Sequence, residues 1–250
     1  VFRFHDHTVR QIDDPVSGCR PAPGRGIPMT ATRIAAFFDF DQTLLEVESG
    51  RLGIQWLRDR RLLPYGYILK ILAANFFYQH RLLSDERMVR ILLTFYKHKR
   101  LAEFQNGSAD FYDAYLKPHL APAIVARVRA HKAKGHVLVL ISGSVRYLLE
   151  PVVKDLEFDH LLCTDLEVDQ NGLMTGKPAD LVCVDHNKKV LTLKLAQQLE
   201  LDLQKSYAYG NHHSDLPLLE TVGKDTKGAK EMLVHLKLLG ILEEIRGLII

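Results

Sequence analysis

Long apolar runs are missing from this 250-residue chain, and no stretch reaches the ~18 consecutive apolar residues of a membrane span. The nearest, YGYILKILAANFFYQH from Tyr65 to His80, is broken by Lys70 and Asn75 and preceded by Pro64, so it reads as a helix of an inserted module. Cysteine is scarce. Cys19, Cys163 and Cys183 are odd in number and lack metal-ligand spacing, so neither a disulfide framework nor a zinc site is expected, and a cytoplasmic location is. A strong excess of one charge is also lacking. The net charge is +3 and the cations are dispersed apart from KHKR at Lys97 to Arg100, a balance that suits a small anionic ligand better than nucleic acid. Residues 1–32 lack apolar periodicity and the apolar core of a signal peptide, and read as a disordered tail. Met29 directly precedes the first credible strand and marks an alternative start. No internal repeat or low-complexity tract is evident. With 47% hydrophobic and 25% charged residues the chain has the material for a full globular core.

What is present concentrates in Ile34 to Leu45, IAAFFDFDQTLL. The apolar run reads as a buried central parallel strand that ends on Asp39 and Asp41. Open α/β sheets bind ligands beyond the carboxyl ends of such strands. One carboxylate there can act as nucleophile or metal ligand while its neighbour moves protons. DxD alone also fits a solvated strand exit, so the rest of the chain decides.

From Glu46 to Leu120 the apolar spacing is helical throughout, punctuated at Pro64, Ser84, Gly107 and Pro118. Helix and strand then alternate, which argues for a parallel sheet. The turn Gln170 to Gly172 between LEVD and LMTG reads as a hairpin. In HVLVLISGSVRYLL, Val137 to Ile141 form a strand, with Ser142, Gly143 and Ser144 where it turns into a helix. A hydroxyl and free amides at a helix start can hold phosphate oxygens, and glycine permits close backbone approach. In VDHNKKVLTLKL, Lys188 and Lys189 fall in a helix's first turn, capped by Asn187 or Asp185, where the helix dipole disfavours cations. A lysine aimed at phosphate would justify that position. SYAYGNHHSDLPLLE ends a short strand on Gly210, followed by Asn211 and Asp215. Adjacent His212 and His213 read as solvated or hydrogen-bonded loop residues and are left out of the ligand set.

DFDQTL resembles the first motif of the haloacid dehalogenase (HAD) superfamily, DxDx[TV] in its phosphatases, and the three later segments follow in that family's order. The resemblance, phosphoserine-phosphatase-like and of subclass IB, implies an α/β fold with a HAD-like Rossmannoid parallel sheet core and an inserted helical type-one (C1) cap. The expected division is a tail at 1–32, a core at 33–45 and 121–225, a cap at 46–120 and a C-terminal helical segment at 226–250. It implies Asp39 as nucleophile and Asp41 as general acid and base. Ser142, Gly143 and Lys189 would bind phosphate, with Lys189 preferred over Lys188 because it directly precedes the apolar helix face. Mg²⁺ would be held by Asp39, the Asp41 carbonyl and Asn211, supported by Thr43 and Asp215. Phe40 and Gln42 are spacers on the simplest reading.

Asn211 departs from the family's aspartate and brings no charge to a hard cation that usually relies on one or two carboxylates. Glu48, nine residues after Asp39, matches a substrate-contacting glutamate of phosphoserine phosphatases, and Arg87 or Arg90 is a candidate carboxylate binder that no motif singles out, with Arg90 carried forward. The expected activity is Mg²⁺-dependent hydrolysis of a small phosphate monoester through an aspartyl phosphate. A phosphotransferase using the same intermediate, or a catalytically weakened phosphate-binding regulatory protein, are the alternatives.

Overall fold

A computed structural model of the chain describes residues 33–223; the expected N-terminal tail and C-terminal helical segment lie outside the described residues. The core is a four-stranded, all-parallel sheet of order β3-β2-β1-β6, made of β1 (Ala35–Asp39), β2 (Val137–Val145), β3 (His160–Thr164) and β6 (Tyr207–Tyr209). β1 is central and its residues Ala35 to Phe38 are fully buried on both faces, as a near-continuous apolar run demands. Alternate side chains enter separate clusters. Ala35 and Phe37 join Val139, Ile141, Leu195 and Leu218, whereas Ala36 and Phe38 join Leu138, Leu140, Leu149 and Val152. Each fully buried Phe or Ile contributes about 1.5–3 kcal/mol over an exposed one.

Crossover helices α6 (Pro122–Ala133), α7 (Arg146–Leu156) and α8 (Asp185–Leu199) link the strands, and α9 (Leu216–Leu219) follows β6. Between β1 and α6 the chain makes a helical excursion: α1 (Ser49–Asp59), α2 (Tyr65–Gln79), α3 (Asp85–Leu93), α4 (Leu101–Asn106) and α5 (Ser108–Phe111). It leaves and re-enters the core side by side, with the Glu46 amide donating to His119 and the Ala121 amide to Leu44, both at 2.9 Å. The hairpin of β4 (Leu166–Val168) and β5 (Met174–Pro178) grips the same excursion. His98 and Met174 share backbone bonds with Met174 and Lys99 at 2.8 and 2.9 Å. Asp169 closes the hairpin by accepting the Asn171 and Leu173 amides, and Gly172 takes the positive φ of 75° that the turn requires.

One expectation is corrected here. Ser142 to Ser144 do not open a helix. β2 runs on to Val145 through a register shift after Ile141, and α7 begins only at Arg146. The Ser142 hydroxyl accepts the Ser144 amide at 3.1 Å, a local bond that competes with helix formation.

Beside the sheet, His131 is buried, 2.7 Å from the His136 ring nitrogen and 2.9 Å from the Tyr209 hydroxyl. Burial, reinforced by His136, Lys134 and Arg127, pushes its pKa down from 6.5 to about 4. The unfolded chain therefore binds this proton more readily than the folded protein. The resulting stability is whole above about pH 6.5 and is lost as pH falls towards 4, at up to about 1.4 kcal/mol per pH unit. Urea melts across that range are expected to show a steeper loss in the native chain than in His131→Gln; parallel curves would exclude this imidazole as a cause.

Candidate active site

The carboxyl ends of β2, β1 and β6 stand side by side, which gathers the three expected segments around Asp39. Asp39 closes β1 and is 4% exposed. Its Oδ1 lies 2.5 Å from the Nζ of Lys188, which also bonds Asp215 Oδ1 at 2.6 Å. Burial pushes Asp39 up from 3.8 to about 7, against the opposing pull of Lys188 and with a further push from Asp215 and Asp41. Burial alone would depress Lys188, but the Asp39 and Asp215 carboxylates outweigh it and raise this lysine.

The lysine here is Lys188, not Lys189. α8 begins at Asp185 after a Val184 that offers no side-chain cap, and Asp185 adopts a left-handed φ of 48°. The Asn187 side-chain amide donates to the Val182 carbonyl at 3.0 Å. This winding sends Lys188 inward, 3% exposed, and leaves Lys189 half-buried one residue around the helix. The dipole penalty on a first-turn cation is offset by two buried carboxylates.

Asp41 is held by donors that sequence reasoning missed. Its Oδ1 accepts the Ser49 amide at 2.5 Å, and its Oδ2 accepts the hydroxyls of Ser142 and Ser144 at 3.4 and 3.3 Å. Ser49 and Ser144 are themselves joined at 2.6 Å. α1 lacks a side-chain cap of its own, so Asp41 satisfies one of its orphan amides. The first helix of the excursion is thereby tied to the acid/base candidate. No spacing rule links Ser49 to Asp41; only the turn of the loop brings them together.

Asp215 is fully buried, and its Oδ2 accepts the His212 amide at 3.0 Å. Gly210 makes room for it: a Cβ at 210 would stand 2.7 Å from Asp215 Oδ2. At Gly143 a Cβ would meet Val184 Cγ1 at 2.8 Å, so this glycine lets β2 pass close to the segment before α8. Asn211 is exposed, donates its amide to the Gln42 carbonyl and accepts Thr43 Oγ1 at 3.4 Å. Thr43 therefore steadies Asn211. Gln42 is more than a spacer, because its carbonyl anchors Asn211 and its side chain donates to Glu48 at 3.0 Å. Phe40 is fully buried core.

Of the two substrate candidates, Glu48 lies on the rim at the start of α1, whereas Arg90 does not join the site. Its guanidinium is bonded to Glu86 at 2.7 and 2.9 Å on the exposed side of α3. Another residue of the excursion reaches the site loop. Asp85 accepts the Tyr78 hydroxyl at 3.0 Å and stands 4.0 Å from His212 Nδ1.

Whether Mg²⁺ fits can be judged from these groups. Among the described residues no three His, Cys, Asp or Glu side chains converge as a ready-made cluster. The oxygens present are hard donors, and Asp39 and Asp215 share one lysine while the Asp41 carboxylate lies close enough to raise Asp39 further, leaving excess negative charge for a cation to neutralise. One carboxylate with carbonyl oxygens, phosphate and water is an ordinary Mg²⁺ environment. The donor set fits.

Comparison with known proteins places the chain in a family. The family model described as haloacid dehalogenase-like hydrolase matches residues 36–220. A phosphoserine phosphatase of Lactococcus lactis is 33% identical over 114 residues, which are 45% of this chain and 52% of that protein. A histidinol-phosphatase of Neisseria meningitidis is 26% identical over 197 residues, covering 76% of this chain and 87% of the relative. A protein of unknown function from Bordetella pertussis has a solved structure that superposes with a TM-score of 0.69 at 25% identity, covering 80% of this chain and 94% of that one. The matched segment runs from β1 through Asp39, Ser142 and Lys188 to the end of the Asp215 loop, so the chain belongs to the haloacid dehalogenase-like hydrolase family.

Proposed function

We propose that the chain is a phosphatase that hydrolyses a small phosphate monoester through an aspartyl phosphate on Asp39. The observation that carries this is Asp39 buried at the end of β1 against Lys188, with Asp41 two residues on and held apart from that lysine by its own donors. The two acids thus stand in different surroundings, as a nucleophile and a proton carrier require. The names of the Lactococcus and Neisseria relatives, both phosphatases, support the same reaction class.

In the first step an Asp39 carboxylate oxygen attacks phosphorus in line, and the bond from phosphorus to the ester oxygen breaks. Asp41 gives that oxygen its proton. In the second step Asp41 takes a proton from water, whose oxygen attacks phosphorus and releases Asp39 and phosphate. Lys188 and the Ser142 hydroxyl stabilise the charge on the phosphoryl oxygens. Asp39, the Asp41 carbonyl and Asn211 would hold Mg²⁺, which supplies charge neutralisation and orientation of the phosphate. The helical excursion serves as the lid over this chemistry, tied down at Ser49 and Asp85 and excluding water from the reacting groups.

Phosphate release from a generic aryl phosphate, titrated with Mg²⁺, tests the proposal; no release at saturating Mg²⁺ counts against it. Asn211→Asp is expected to lower the Mg²⁺ concentration for half-maximal activity by about tenfold, because a charged ligand replaces an amide. An unchanged or higher requirement would remove Asn211 from the ligand set.

A further inference from the structure

Two serine hydroxyls meet beside Asp41, one from the sheet and one from the helical excursion. Ser144, near the end of β2, and Ser49, the first residue of α1, have their Oγ atoms 2.6 Å apart. Ser49 is 1% exposed, and a hydroxyl so buried is costly unless it is hydrogen-bonded. The three groups stand in series. Ser144 Oγ lies 3.3 Å from Asp41 Oδ2, while Ser49 meets the carboxylate through its amide, on Oδ1. Ser142 also reaches Oδ2, at 3.4 Å, but the proposed reaction turns that hydroxyl to the phosphoryl oxygens and leaves Oδ2 to Ser144.

The two protonation states of Asp41 give this series a use. A backbone amide can only donate, so it favours the carboxylate. Asp41 must also carry a proton, and for that state a partner that accepts is needed. A hydroxyl does both. With Asp41 ionised, Ser49 donates to Ser144 and Ser144 donates to Oδ2. Once Oδ2 is protonated, both hydroxyls rotate, so that Ser144 donates to Ser49 and offers its own lone pair to the Asp41 proton. The bond between the serines survives in either sense, because either oxygen can be its donor. No proton passes along the pair; only the direction of its hydrogen bonds reverses.

We propose that Ser144 and Ser49 are positioning residues for Asp41, a hydroxyl pair whose hydrogen bonds reverse as that carboxyl gains and loses its proton. This deepens the phosphatase reading and rests on it, through Asp41 as the proton carrier.

The leaving-group dependence of kcat/KM, measured on the full chain with Mg²⁺ for phenyl phosphate and 4-nitrophenyl phosphate, tests this. The two esters have similar shapes, but phenolate is the poorer leaving group and draws more on the proton from Asp41. Ser144→Ala is expected to lower kcat/KM about fivefold more for the phenyl ester than for the nitrophenyl ester. Ser49→Ala is expected to shift that ratio in the same direction by less. The double variant is expected to match Ser144→Ala, because the Ser49 hydroxyl acts through Ser144 and the two effects do not add. Ser144→Thr keeps the hydroxyl and guards against misfolding; it is expected to restore most of the native ratio. Equal losses on the two esters in Ser144→Ala, or effects that multiply in the double variant, overturn the proposal and leave the phosphatase reading standing. A native chain that hydrolyses neither ester removes both.

Discussion

Asp39→Asn is expected to slow phosphate release by at least about 10³-fold, because the amide cannot form the acyl phosphate that divides the reaction into two steps. The substitution keeps the shape of the side chain and leaves Lys188 its second partner, Asp215, at 2.6 Å. Stability should therefore change far less than rate. Burst measurements on the native chain under acid quench should recover phosphate covalently bound to protein, and none in the variant. A variant turning over within a few-fold of the native chain at an equal melting temperature would remove Asp39 as nucleophile.

Lys188→Ala carries the second large effect, and it differs in kind. Its Nζ is the cation shared by Asp39 and Asp215, both nearly inaccessible to water. Deleting it leaves two buried acids facing one another, and breaking a buried pair in this way costs about 3–5 kcal/mol. Loss of its charge from the transferring phosphoryl group is expected to lower the rate of the surviving folded protein by a further 10²–10³-fold, roughly the worth of one preorganised electrostatic donor. Lys189→Ala is the control, expected to stay within about 0.5 kcal/mol and near-native in rate. Equal losses in the two variants would mean that the winding at the start of α8 does not select between them.

These two experiments fall on opposite sides of what can be read from the chain alone. Asp39 was legible because an apolar run that must be buried on both faces has to end somewhere, and it ends on an acid. Gly210 was legible in position but not in cause, since only the approach of Asp215 shows why a side chain is excluded there. Lys188 and Lys189 could not be told apart by neighbours in sequence, because the choice depends on a left-handed Asp185 that sets the phase of the helix. Ser142 to Ser144 gave the expected hydroxyls, but the local bond between them prolongs the strand where a helix start was expected.

Arg90 shows the same limit from the other direction. A basic residue on an insertion helix is a fair substrate candidate until its partner is known, and here an acid four residues earlier takes it at the surface. Ser49 had no signal at all, since its backbone amide finds a partner eight residues away across a turn and its hydroxyl finds another in β2.

Local pattern was enough for the parallel sheet, the helical excursion and the order of the acid, serine and lysine segments, because periodicity and strand ends are properties of neighbouring residues. Which lysine points inward, what holds Asp41 and how Asn211 is anchored were decided by packing. Several of these are relations between residues far apart in the chain, and those around Asp39 exist only once β2, β1 and β6 bring their ends together.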